Sequence, residues 1–170
     1  MNTFLSYLLT DEPTLKIAEK DIICYIGFYK SNKDNSDLLL SGIEAKPIKQ
    51  KRVKEGAVFE EKREWKKLQV NTYSDSLKFC YTEGFIHSHK SMFDAYYQLT
   101  KNIPGNKRLL FYQCIIPKGT KYIEGFKNCG MGECYASEKL IIKKEEELKQ
   151  ETIDAVEELF DAFSLDFKFD

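Results

Sequence analysis

Arginine, histidine and tryptophan are scarce in this chain of 170 residues. Three of its 26 basic side chains are Arg, Trp65 is its one Trp, and His87 and His89 are its two His. Arg is the side chain that holds phosphates and base edges bidentately, so its scarcity speaks against sequence-specific nucleic-acid recognition. A net charge of −1 points the same way. No run reaches the roughly 18 apolar residues that a membrane-spanning helix requires. Walker A, G-x-G-x-x-G and G-x-S-x-G patterns are all missing, which removes the usual phosphate cradles and the nucleophile elbow. Two H-x-[ST] motifs on separate strands are impossible with both histidines in one tripeptide, so two-histidine phosphoester chemistry is excluded.

The five cysteines are Cys24, Cys80, Cys114, Cys129 and Cys134. They form no C-x-x-C pair, and no signal peptide precedes them, so a reducing cytosol is expected. His87 and His89 at i, i+2 face one side of a strand and could begin a metal site. The alternative is a polar strand end beside Ser91. No third ligand is signalled, and neither a metal nor a cofactor is expected from these residues.

What is present is a substantial apolar inventory: 42% hydrophobic residues, with 12 Phe and 10 Tyr. That is enough for a core and excludes a wholly disordered chain. The chain reads as a single domain over 1–170. Residues 1–20 read as a helical arm, because Phe4, Leu5, Leu8 and Leu9 share a helical face and Pro13 suits the first turn of a second helix. An α+β core spans 22–144. Within it, 22–29 and 109–116 are β-branched, aromatic and apolar on both faces, as buried strands are. Ser91 opens a capping-box-like helix over 92–101 in which Asp94 stands for the usual Glu. Residues 145–163 form an amphipathic helix carrying Ile153, Val156, Phe160 and Phe163 on one face. Consecutive strands are joined by turns rather than helices, which predicts an α+β fold with mostly antiparallel pairing and N-terminal, central and C-terminal helices.

Charge is unevenly distributed. Residues 45–67 carry nine basic side chains against four acidic ones, a net of +5, whereas 143–170 carry a net of −6. The bland reading is two solvated faces. The functional reading is a steering surface formed by Lys49, Lys51, Arg52 and Lys54, with Trp65 as a core lid or a stacking platform.

Three blocks carry a resemblance. They are Gly84-Phe85-Ile86-His87 through Ser91 to Asp94-Ala95, Cys114-Ile115-Ile116-Pro117-Lys118-Gly119-Thr120, and Tyr135-Ala136-Ser137-Glu138-Lys139-Leu140. Together they resemble small proteins of phages and mobile elements, and over 22–144 their element order is similar to that of ADP-ribosyltransferases. The resemblance implies a split β-sheet or β-sandwich core with NAD between its halves. It places Glu138 as the catalytic Glu, Ser91 as the second-strand Ser, and Tyr25, Tyr29 and His87 against the cofactor. The family's first-strand Arg or His is not matched, since 24–29 carries neither, and Ala136 stands where an acidic residue is usual.

The expected function is therefore a non-catalytic binding protein of the host-cell cytosol, with a host protein such as a defence component as its partner and no membrane attachment. An NAD-dependent mono-ADP-ribosyltransferase using Glu138, and a protein that binds or sequesters a small nucleotide, are the two alternatives.

Overall fold

The computed structural model describes residues 4–8, 11, 13–31, 37–41, 47–61, 70–72, 77–82, 84–102, 107–127 and 133–168. Along the chain come β1 (Phe4–Leu8), β2 (Lys16–Ile17), β3 (Ile22–Ser31), β4 (Leu38–Ser41) and β5 (Pro47–Lys49). A 3-10 turn at Gln50–Arg52 leads to β6 (Val58–Glu60), β7 (Val70–Thr72), β8 (Leu77–Tyr81) and β9 (Ile86–His89). Then follow α1 (Met92–Asn102), β10 (Lys107–Ile116), β11 (Lys121–Lys127), β12 (Glu133–Ser137), β13 (Lys139–Glu146) and α2 (Gln150–Lys168).

These thirteen strands form one sheet with the order β6-β13-β10-β3-β9-β12-β11-β1-β8-β7, while β4 and β5 extend from β3 and β2 pairs β11. Every pairing is antiparallel. The expected α+β fold with three helical regions is thereby corrected: the described chain is β-rich and has two helices. Hydrogen bonding runs continuously rather than in two separate sheets, although β3 and β9 share a single register pair, Tyr25↔His89.

The N-terminal arm is the largest correction. Residues 4–8 are a strand between β8 and β11, with Leu5 opposite Cys80 and Lys127. Leu5 and Tyr7 turn into the core while Leu8 is 53% exposed. The five-residue run offered helical spacing, but so short a helix has little stability of its own, and two waiting strand partners outweigh it. At the other end, Lys143 to Glu146 continue β13 along β10, as far as Phe111↔Glu146. The last helix consequently begins at Gln150 rather than at 145.

β3 and β10 are central, paired over ten residues from Lys107↔Ser31 to Ile116↔Ile22. One face of this pair sends Cys24, Ile26, Phe28, Leu110, Tyr112 and Cys114 into the main core, shared with Leu140 and Ile142 of β13 and Tyr135 of β12. The other face holds Phe111 against Ala95 and Leu99 of α1, with Tyr25 and Tyr29 packed beside them. Burial on both faces is why these strands read as unbroken apolar runs. α2 lies on α1, where Tyr97 and Phe160 stack with centroids 5.5 Å apart. A second cluster, of Leu5, Tyr7, Cys80, Ile123, Cys134 and Ala136, fills the β1–β8–β11–β12 half. Among the described residues no helix is long and apolar enough to cross a membrane.

Candidate functional site

The charged 47–61 segment is tied down by its backbone. The Gln50 N–H donates to the Asp37 carbonyl at 2.6 Å, and the Val53 N–H returns to Gln50 at 3.0 Å. Lys30 Nζ donates to Gln50 Oε1 at 3.3 Å. Val53, 5% exposed, drops into the main core, and Ile48, Ala57 and Phe59 pack against that core. Beyond it the Gly56 N–H donates to Ile142, and the Ile142 N–H donates to Ala57. One buried valine between Arg52 and Lys54 thus anchors a loop whose basic residues all point outward.

Lys49, Lys51, Arg52 and Lys54 are exposed on this platform. Lys51, Arg52 and Lys54 rim an open cavity of about 380 Å³ whose remaining lining is Ala57, Val58 and Phe59. Arg52 and Phe59 also line a second cavity of about 490 Å³, with Ile26, Phe28, Phe85 and His87. Val58 is 52% exposed. β6 ends the sheet: among the described residues it pairs with β13 alone, through Lys139↔Glu60 to Ile141↔Val58. An apolar strip, a row of cations and a sheet edge therefore lie side by side. Trp65 lies outside the described residues.

The residues tied to NAD chemistry are dispersed. Tyr25 and Tyr29 sit on the α1 face of β3. Glu138 occupies the bend between β12 and β13, where its N–H donates to the Lys121 carbonyl and its carbonyl accepts from Glu61. Glu138 lies beyond the Ile115↔Ile141 end of the β13–β10 register, whereas Tyr29 pairs with Leu109 near the opposite end of β10. Ser91 caps α1: its Oγ accepts the Asp94 N–H at 3.1 Å and donates to Asp94 Oδ2 at 2.7 Å. The buried His87 ring bonds Thr82 Oγ1 through Nε2 at 2.8 Å. Of these five residues only His87 lines the 490 Å³ cavity.

Four of the cysteines are buried free thiols: Cys24, Cys80, Cys114 and Cys134. Burial pushes Cys24 up to about 12 and Cys80 up to about 11, which makes both inert as nucleophiles at neutral pH. Among the described residues no group of three or more His, Cys, Asp or Glu is placed to hold a metal ion.

The apolar half of the basic site, namely Pro47, Ile48 and Phe85, is not legible in the sequence. Pro47 and Ile48 pair with the neighbouring strand β4, but Phe85 and the β3 residues Ile26 and Phe28 that share their cavity come from other stretches of chain, and no local pattern joins them. Comparison with models of protein families, with curated proteins and with solved structures finds no match.

Proposed function

We propose that this is a non-catalytic binding protein that receives an acidic, extended segment of a partner protein on its 47–61 face. The observation that carries the reading is the cavity rimmed by Lys51, Arg52 and Lys54 and lined by Val58 and Phe59, set against the terminal strand β6. Magnitudes divide the work. Exposed ion pairs contribute about 0.2–1 kcal/mol each, so four cations supply steering and orientation rather than most of the affinity. Affinity comes from covering Val58 and Phe59 and from main-chain hydrogen bonds along β6, as in strand addition to a sheet edge. On the resemblance to phage proteins, the partner is a protein of the host cytosol, with defence components the first to test.

A fluorescent peptide of alternating Glu and Val is the direct probe. It should bind the full chain with an association rate that falls as salt rises. Reversing Lys49, Lys51, Arg52 and Lys54 to Glu should lower that rate at least tenfold and flatten its salt dependence. An unchanged rate in the reversed variant, or no binding to the parent chain, removes this face as the contact surface.

A further inference from the structure

A third cavity, of about 470 Å³, lies in the other half of the sheet, away from the basic face. Its lining includes Tyr7, Asp11, Lys16, Lys90, Glu124 and Glu133. Tyr7 is 7% exposed, and its hydroxyl is buried with no hydrogen-bond partner among the described residues. Gly125, itself part of the lining, leaves room for that hydroxyl: a Cβ there would stand 3.0 Å from Tyr7 Oη and 2.8 Å from Cζ. A glycine inside a strand weakens it, and here the space it leaves holds a polar group at the cavity wall.

The charges around the cavity are unequally satisfied. Lys16 Nζ meets Glu124 Oε1 at 2.5 Å, and Lys90 Nζ meets Glu124 Oε2 at 3.3 Å. Burial raises the Glu124 carboxyl, but the Lys16 and Lys90 bonds outweigh burial and hold it below the usual carboxylate range. Both lysines are thus committed to Glu124. Glu133 reaches Lys90 only at 3.9 Å, and among the described residues no cation pairs with Asp11. Two lysines against three carboxylates leave the lining at −1. An anion entering here would have to pull a lysine from Glu124. A cation meets two under-neutralised carboxylates and a phenol oxygen with free lone pairs.

We propose that this cavity binds a small organic amine, whose ammonium donates to the Tyr7 hydroxyl and is neutralised by Asp11 and Glu133. Phe126, 40% exposed and part of the lining, supplies an apolar wall for the carbon part of the ligand. The inference stands apart from the basic face and from its peptide partner.

Benzylamine is the probe, with benzyl alcohol and benzoate as neutral and anionic controls of the same shape. On the full chain, NMR titration should move the amides of Gly125 and Phe126 with benzylamine, at a Kd of about a millimolar. Benzyl alcohol should bind more weakly and benzoate not at all. Tyr7→Phe should weaken benzylamine about tenfold or more, because a hydrogen bond to a charged group is lost. The same variant should melt no lower than the parent when ligand-free, since the deleted hydroxyl had no partner. Benzoate binding as well as benzylamine, no amine binding up to about 10 mM, or an unchanged affinity in Tyr7→Phe would each overturn the proposal. A lowered melting point in Tyr7→Phe would do so as well, since it would mean that the hydroxyl already has a bonded partner.

Discussion

Substituting Gly27 by Ala tests the packing of α1 on the central strands. Gly27 lies on β3 opposite Phe111. A Cβ at that position would stand 2.6 Å from Leu99 Cδ1 and 3.0 Å from Phe111 Cε1. Leu99 is 1% exposed and Phe111 is 2% exposed, so neither can swing into solvent. Forcing a methyl into such a site costs about 1–3 kcal/mol. The loss of a flexible glycine from the unfolded chain returns about 0.4–1 kcal/mol. Because a 2.6 Å approach to a side chain that cannot swing away puts the cost in the upper half of that range, the net expectation is a destabilisation of about 1–2.5 kcal/mol by urea unfolding, followed by far-UV circular dichroism. Leu99→Ala alone should cost about 2–5 kcal/mol through the cavity it opens. Combined, the new methyl occupies part of that cavity, and the double variant should lose at least about 0.5 kcal/mol less than the two separate losses added together. Gly119 supplies the contrast. It has φ +88° and nothing within 4 Å of the place a Cβ would take, so Gly119→Ala should lose about 1–2 kcal/mol to backbone strain, whatever stands at position 99. A neutral Gly27→Ala, or strict additivity with Leu99→Ala, would refute the described seat of the helix.

Ser91→Ala should lower stability by about 1 kcal/mol, the usual worth of a helix cap, and leave binding of the acidic peptide unchanged; peptide titration beside urea unfolding checks both. Cys24 should make stability fall in alkali. Its thiol ionises near 9 when unfolded and near 12 when folded, so the folded state keeps its proton while the unfolded state sheds it. That contribution is complete below pH 9 and declines by about 1.4 kcal/mol per pH unit above it; urea midpoints measured from pH 8 to 11 should show the fall, and Cys24→Ser should make it shallower by that share while Cys80, Cys114, Tyr7 and Tyr135, also raised by burial, keep theirs. Alkylation of the native protein followed by peptide mapping should leave Cys24, Cys80, Cys114 and Cys134 unlabelled until denaturant is added.

The central strands were legible because their chemistry is unambiguous locally. Residues 22–29 and 109–116 are apolar at odd and even positions apart from Gln113, and both faces are covered along most of their length, by the main core on one side and by α1 on the other, with Ile23 left 55% exposed beyond the helix. Ser91 and Asp94 announced the start of α1 three residues apart, and the cap forms there. The N-terminus misled because Phe4, Leu5, Leu8 and Leu9 satisfy a helical period within a run too short to hold a helix. What decides its conformation is β8, some seventy residues on, and β11, some 120 residues on. The amine cavity was invisible for a similar reason. Tyr7, Lys90, Glu124 and Glu133 come from separate stretches that only strand register brings together. One local signal did exist: Gly125 follows Tyr122-Ile123-Glu124 in a strand-like run, and an isolated strand glycine marks a close approach.

The lone Tyr25↔His89 pair has a mechanical consequence. A backbone ladder transmits tension in proportion to its rungs, and here ten register pairs join β3 to β10 whereas a single one joins it to β9, the other two on that side going to β4. Slow amide exchange should therefore divide into two cooperative blocks, with β3, β10 and β13 in one and β1, β8, β11 and β12 in the other. Strain introduced by a ligand in either block would cross to its neighbour through touching side chains such as Tyr122, Tyr135 and Ile86 rather than along the peptide chain.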